Sequence, residues 1–224
     1  MPSPGEFEPD AGCPAHPGAP PPVDATLGQV TPFTFSDSSR FRPDGPGPLT
    51  SKTYTDDFVE TRDYGRLDSR LRSPEQTDIA YFWAEHPYVH WNRNLIGLAS
   101  SRNLSMLDTA RLFAMVHTAA ADAVISGFEA KYHYAAWRPR TAIPRADSDG
   151  NFATDADPTW IPLLTVNHPE YPSGHAFWSA AVTDAIASFF GTDKVRWRHS
   201  MRQGAEIGHR VASHVAENFF RATQ

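Results

Sequence analysis

The chain has 224 residues, of which 40% are hydrophobic, enough for one domain with a real core. Its net charge of −6 gives no reason to expect nucleic acid or an anionic membrane as a partner. The single cysteine, Cys13, excludes an internal disulfide and a cysteine-rich metal site. Because no membrane span or signal segment is recognisable, we expect a soluble chain, cytoplasmic as given and exported or periplasmic if an upstream signal is missing.

The N-terminal region is rich in proline. Residues 1–50 hold 12 of the 20 prolines, a composition that predicts an extended segment without a core of its own. Within it, residues 30–35 are more apolar, and we expect them to pack across the helical domain predicted for residues 51–224.

Two helix starts can be identified from capping signals. Ser73, Pro74 and Gln76 form a predicted capping box that begins a helix, which we expect to break near Pro87 and then resume. Ser105 begins a long apolar helix in the same way. The polar exceptions of that long helix are His117 and Asp122, and we expect them to form a buried, hydrogen-bonded pair.

The later part of the chain also favours helices. Residues 147–157 are acidic, but the glycine is misplaced for a calcium loop and no glutamate closes it, so we predict an exposed acidic turn. Residues 200–220 carry apolar side chains at four-residue steps, which predicts a last helix with one packed face. The sequence therefore predicts an all-α bundle with long irregular connections.

The most informative stretch is 168–175, HPEYPSGH. Ser173 is a predicted N-cap of an apolar helix that Gly191 ends. The first backbone N–H groups of that helix, at Gly174 and His175, have no intrahelical partner, and the macrodipole favours an anion there. Gly174 allows a ligand to approach closely, and His175 is a candidate proton donor. The alternative is an ordinary capped helix with an exposed histidine.

A second pair of candidates lies upstream. Lys131 and Arg138 are seven residues apart, about two helical turns, so we predict that both lie on one face. A guanidinium can bind two oxygens of a tetrahedral anion, and an ammonium supplies a point charge. The alternative for this pair is a solvated basic face.

These two stretches, 131–139 and 172–175, resemble the first two signature blocks of the vanadium-dependent haloperoxidase and type 2 phosphatidic acid phosphatase superfamily. Their surroundings are more similar to the soluble bacterial haloperoxidase branch. The resemblance implies the helical bundle of that superfamily. It further implies that Lys131, Arg138, Ser173 and the Gly174 N–H bind vanadate, with phosphate as a competing anion, and that His175 is the catalytic acid–base group.

The superfamily's third block, an arginine followed by glycine and then histidine, is not intact here. Residues 197–208 resemble the run that directly follows this block, and in that alignment its histidine falls on Arg196, a pattern typical of an internal deletion or of divergence. The axial histidine that would bind the metal is therefore unknown. His199 and His209 are weak candidates, and surface positions on the last helix are the alternative for both. Such a loss would also expose apolar surface, which makes self-association an alternative to a monomer.

Three functions follow from the resemblance. In the first, hydrogen peroxide and a halide react at vanadate in the pocket, with Lys131 polarising the peroxide and His175 managing protons. In the second, a phosphomonoester is hydrolysed at the same pocket, as in an acid phosphatase. In the third, the chain binds an oxyanion without catalysis, as a relic or fragment. The sequence leaves open whether this chain is an enzyme.

Overall fold

The computed structural model describes residues 3–9, 21–191 and 210–211. This part of the chain contains helices and no β-strand, with two isolated bridges joining residues 6 to 136 and 66 to 162. The α-helices are α1 (Lys52–Gly65), α2 (Pro74–Ala84), α3 (Pro87–Ser101), α4 (Met106–Tyr134), α5 (Pro139–Ala142) and α6 (Gly174–Phe190). Short 3-10 helices cover Leu27–Gln29, Ser38–Phe41 and Ala146–Ser148. Across the described residues, no helix is long and apolar enough to cross a membrane.

The helix starts predicted from local signals are confirmed. At α2, the Ser73 N–H donates to Gln76 Oε1 at 2.8 Å and the Gln76 N–H donates to Ser73 Oγ at 3.1 Å, which is a reciprocal capping box. At α4, the Asp108 N–H donates to Ser105 Oγ at 3.1 Å. The predicted break also occurs, because α2 ends at Ala84 and Pro87 is the first residue of α3.

The contacts group the described residues into two units that alternate along the chain. The first unit takes residues up to 25, 45–84 and 133–171, and so contains α1, α2 and α5. The second takes 26–44, 85–132 and residues from 172 onward, and so contains α3, nearly all of α4, and α6. The boundary predicted at residue 50 stays a prediction.

The first unit is built on a small apolar cluster. Phe58 of α1 packs there with Trp160, whose indole N–H donates to the Arg62 carbonyl at 2.9 Å. Most of the acidic segment 147–157 is exposed, as predicted, with Asp149 as a buried exception among its carboxylates. Asp149 is buried because its carboxylate accepts hydrogen bonds from the Asn151 N–H at 2.7 Å and from Thr154 Oγ1 at 2.8 Å. In the ranges that the structure describes, no group of His, Cys, Asp or Glu could hold a metal ion.

The second unit is organised around α4, most of whose C-terminal half is buried. Helix α3 packs against α6, where the Trp91 indole N–H donates to Ser179 Oγ at 3.3 Å. The predicted packing of residues 30–35 is confirmed for part of the segment. Phe35 is buried, whereas Phe33 is 75% exposed.

Asp122 of α4 is fully buried and binds this N-terminal segment. Its carboxylate accepts the Phe33 N–H at 2.6 Å, the Thr34 N–H at 3.0 Å and the Thr34 hydroxyl at 2.6 Å. The predicted pairing of His117 with Asp122 is therefore wrong. Five residues along a helix correspond to a rotation of about 140°, so the two side chains leave α4 in different directions.

Replacing Asp122 with alanine should destabilise the protein by about 3 kcal/mol, because two backbone N–H groups and one hydroxyl would lose their buried acceptor. Urea unfolding followed by circular dichroism measures this. Asp78→Ala, on exposed α2, is the control and should change the free energy of unfolding by less than about 0.5 kcal/mol. Equal effects of the two substitutions would show that the Asp122 contacts do not stabilise the fold.

Candidate oxyanion site

The candidate oxyanion site is centred on the N-terminus of α6. Ser173 is the N-cap, with φ −64° and ψ 123°, and α6 ends at Gly191, which has φ 64°. The predicted start and end of this helix are thus confirmed. The Ser173 hydroxyl makes no capping hydrogen bond, and its carbonyl accepts the Phe177 N–H at 3.2 Å. By helix geometry the first N–H groups of α6 lack intrahelical acceptors, so this end offers donors to a ligand.

Lys131 lies beside this helix end. Its side chain is 0% exposed, which is unusual for a lysine. A Cβ built on Gly174 would lie 3.9 Å from Lys131 Cε and 3.9 Å from Phe177 Cζ. The structure therefore brings together Lys131 and Gly174, which are 43 positions apart in the printed sequence.

A close helix contact explains this proximity. A Cβ built on Gly127 would lie 2.3 Å from Cε1 of the fully buried Phe177 ring, so only glycine leaves room for this ring against α4. Gly127 precedes Lys131 by one turn of α4, and Phe177 follows Gly174 by one turn of α6. Sequence analysis missed Gly127, although a glycine inside an apolar helix is a signal of close packing.

Arg138 does not share a helical face with Lys131, so that prediction is wrong. Helix α4 ends at Tyr134, Ala135 has φ 45°, and Arg138 is extended with φ −96° and ψ 157°. Arg138 belongs to the first unit, where its Nη1 lies 3.0 Å from Glu170 Oε2 and donates to the His168 carbonyl at 3.3 Å.

His175 occupies the first turn of α6 and is exposed to solvent. Its neighbour one turn later, Trp178, is half-buried. The remaining sequence candidates, His199 and His209, lie outside the described residues, as do Arg196 and Cys13. Of the predicted last helix, the structure describes residues 210 and 211, both helical.

Comparisons with known proteins agree with this fold. The protein-family model described as the VCPO second helical-bundle domain matches residues 111–222, half of the chain. A vanadium chloroperoxidase from Curvularia inaequalis is 27% identical over 214 residues, a match that covers 76% of this chain and 33% of that protein.

Two solved structures share the fold. That of the first bacterial vanadium-dependent iodoperoxidase has a TM-score of 0.75 at 21% identity and covers 99% of this chain and 62% of that one. That of an apo-type bacterial vanadium-dependent chloroperoxidase has a TM-score of 0.60 at 18% identity and covers 87% of this chain and 46% of that one. The chain thus spans less than two thirds of the length of each of these relatives.

The matched domain and the shared fold define a helical bundle of the haloperoxidase type. The chain belongs to the vanadium haloperoxidase family. The resemblance found in the two sequence blocks and the predicted all-α bundle are both confirmed.

Replacing Gly127 with alanine should destabilise the protein by about 1–3 kcal/mol, because the added methyl overlaps a ring with no room to move. Gly97→Ala on α3 is the matched control, since nothing lies within 4 Å of its Cβ. That substitution should be neutral or stabilise by up to about 1 kcal/mol. Urea unfolding of the two variants compares them directly, and a Gly127→Ala protein as stable as Gly97→Ala would contradict the close contact.

Proposed function

We propose that this chain has a haloperoxidase-like site at the N-terminus of α6, where Lys131, Ser173 and the Gly174 N–H hold vanadate, and that it oxidises a halide with hydrogen peroxide. The observation that carries the proposal is the fully buried Lys131 side chain next to the glycine at the positive end of a helix. Phosphate, a tetrahedral anion of similar shape, should compete for the same donors.

The chemistry of these donors fits an oxyanion. An ammonium, a hydroxyl not used for capping and the first N–H groups of a helix all donate hydrogen bonds. The first turn of α6 contains no acidic residue that would repel an anion. A lysine cation and the positive end of a helix repel each other, so their proximity favours an anionic ligand between them.

Lys131 and His175 have different roles in the proposed site, charge neutralisation and proton transfer. When bound, vanadate supplies the Lewis-acid chemistry that activates hydrogen peroxide towards a halide. Lys131 neutralises the negative charge of the bound anion. His175 transfers a proton through an imidazole nitrogen, and its exposure allows that proton to exchange with solvent.

Lys131→Ala should weaken orthovanadate binding about 10- to 100-fold, the equivalent of one lost charge-assisted contact. Isothermal titration of the purified chain with orthovanadate measures the affinity, and a second titration with phosphate present tests competition. Lys52→Ala is the matched control, because Lys52 is an exposed lysine on α1 paired with Asp56. A folded Lys131→Ala protein that binds like Lys52→Ala would refute the site.

His175→Gln should retain orthovanadate affinity within about threefold but lose iodide oxidation by hydrogen peroxide, because glutamine donates hydrogen bonds without transferring protons at neutral pH. Triiodide absorbance reports the oxidation. Hydrolysis of a phosphomonoester by the wild type, with no iodide oxidation, would instead favour the phosphatase alternative. Binding without either reaction would favour the non-catalytic alternative.

A further inference from the structure

Two arginines of the second unit contact the aromatic rings that end α6. The Arg102 Cζ atom lies 5.2 Å from the centroid of the Phe190 ring, and the Arg111 Cζ atom lies 5.0 Å from the centroid of the Phe189 ring. The two phenylalanine rings lie edge to face, with their centroids 4.9 Å apart. Contacts therefore join these four side chains into one group, which we call the Arg–Phe cluster.

The Arg–Phe cluster retains hydrogen-bond donors and apolar surface for a partner. Among the described residues, neither Arg102 nor Arg111 makes a side-chain hydrogen bond or an ion pair. The acidic residue one turn before Arg111 is Asp108, which accepts the Ser105 hydroxyl at 2.7 Å. A guanidinium that packs on a ring keeps N–H groups for a carboxylate. Leu107, also one turn before Arg111, is 79% exposed and adds apolar surface beside it.

The acidic segment 147–157 of the first unit has complementary groups. It contains four aspartates and no lysine or arginine. Asp149 and Asp157 are engaged within the unit, the first by Thr154 and the second by Arg66 at 3.1 Å, so Asp147 and Asp155 carry the exposed charge. The segment therefore carries negative charge where the cluster carries positive charge.

Phe152 lies in the middle of this acidic segment and is fully exposed. The Asn151 side chain holds the backbone beside it, because its Nδ2 donates to the Leu49 carbonyl and to Thr55 Oγ1, both at 2.8 Å. Its Oδ1 accepts the Ala153 N–H at 3.0 Å. A large apolar ring presented on a fixed backbone loses little conformational entropy on binding, which is typical of an interface anchor.

We propose that this chain associates with a second copy of itself, the acidic segment 147–157 of one copy binding the Arg–Phe cluster of the other. The Phe152 ring packs against the rings of the cluster, and the Asp147 and Asp155 carboxylates accept hydrogen bonds from its guanidinium groups. Because Phe152 is fully exposed in a single chain, its partner comes from another molecule. Opposite charge and exposed apolar surface on the two sides select a second copy as that molecule.

The contact joins two different surfaces, so it is heterologous, and successive copies can add to it. It uses the C-terminal end of α6, whereas the candidate oxyanion site lies at the N-terminus of that helix. The proposal therefore does not rest on vanadate binding and can be tested on the chain alone.

Sedimentation equilibrium of the purified chain measures the association. Salt at about 0.15 M reduces the Debye length to about 8 Å and so weakens the general repulsion between copies of net charge −6. The mean mass of the wild type should rise with concentration, with a dissociation constant of about 100 µM. Phe152→Ser and Arg102→Glu should each weaken association at least about tenfold, because each removes a central contact.

Two control variants match these changes at positions outside the contact. Phe33→Ser removes another exposed phenylalanine, and Arg70→Glu reverses the charge of an exposed arginine that makes no ring contact among the described residues. Both should associate like the wild type. Circular dichroism checks that each variant is folded.

A mixture of Phe152→Ser and Arg102→Glu tests the pairing of the two surfaces. The first variant keeps an intact cluster and the second keeps an intact acidic segment, so the equimolar mixture should form a heterodimer with an affinity within about threefold of the wild type. No association in the mixture would overturn the proposal, because it would show that the two surfaces do not bind each other.

Two further results would overturn the proposal: a wild type that stays monomeric up to about 1 mM, or a folded Phe152→Ser protein that associates like Phe33→Ser. A monomeric wild type in which Arg102→Glu lowers the free energy of unfolding more than Arg70→Glu would show that the same chain covers the cluster.

Discussion

The contact between Gly127 and Phe177 determines the geometry of the candidate oxyanion site. It places α4 and α6 close enough that a side chain one turn further along α4 reaches the first residue of α6. Along α4, Gly127 comes before Lys131. Along α6, their contact partners come in the reverse order, with Phe177 after Gly174, so the helices are antiparallel here. A glycine inside a helix costs about 1 kcal/mol relative to alanine, and the buried Phe177 ring that it admits more than offsets this cost.

The same arrangement explains how a lysine is accommodated in the interior. Removing an ammonium from water costs several kcal/mol, so its surroundings must supply compensating negative potential. Lys131 lies in the last turn of α4, where the helix macrodipole is negative and favours a cation. The side chain extends from this favourable end towards the positive end of α6. The negative end of α4 thus favours the ammonium of Lys131, whose side chain lies beside the positive end of α6.

Local signals predicted local structure well, and tertiary structure poorly. Ser73 and Ser105 cap helices as expected because capping involves residues at most three positions away. The prediction that Lys131 and Arg138 share a helical face was wrong, although the sequence contains a signal against it. Pro139 disfavours helical backbone at the preceding residue, and Arg138 is indeed extended. A seven-residue spacing indicates a common face only when one helix covers the whole interval.

Asp122 shows where reasoning from the sequence reaches its limit. Its burial on an apolar helix could be expected, but its partners are backbone N–H groups 88 and 89 residues away, and no periodicity identifies them. Gly127 is a similar case. A glycine inside an apolar helix indicates a close neighbour, but the sequence does not show that this neighbour is Phe177. The pairing of Lys131 with the α6 terminus was anticipated because the family resemblance carried long-range information. For the candidate site, therefore, the residue types came from chemistry, and their proximity came from the family and the structure.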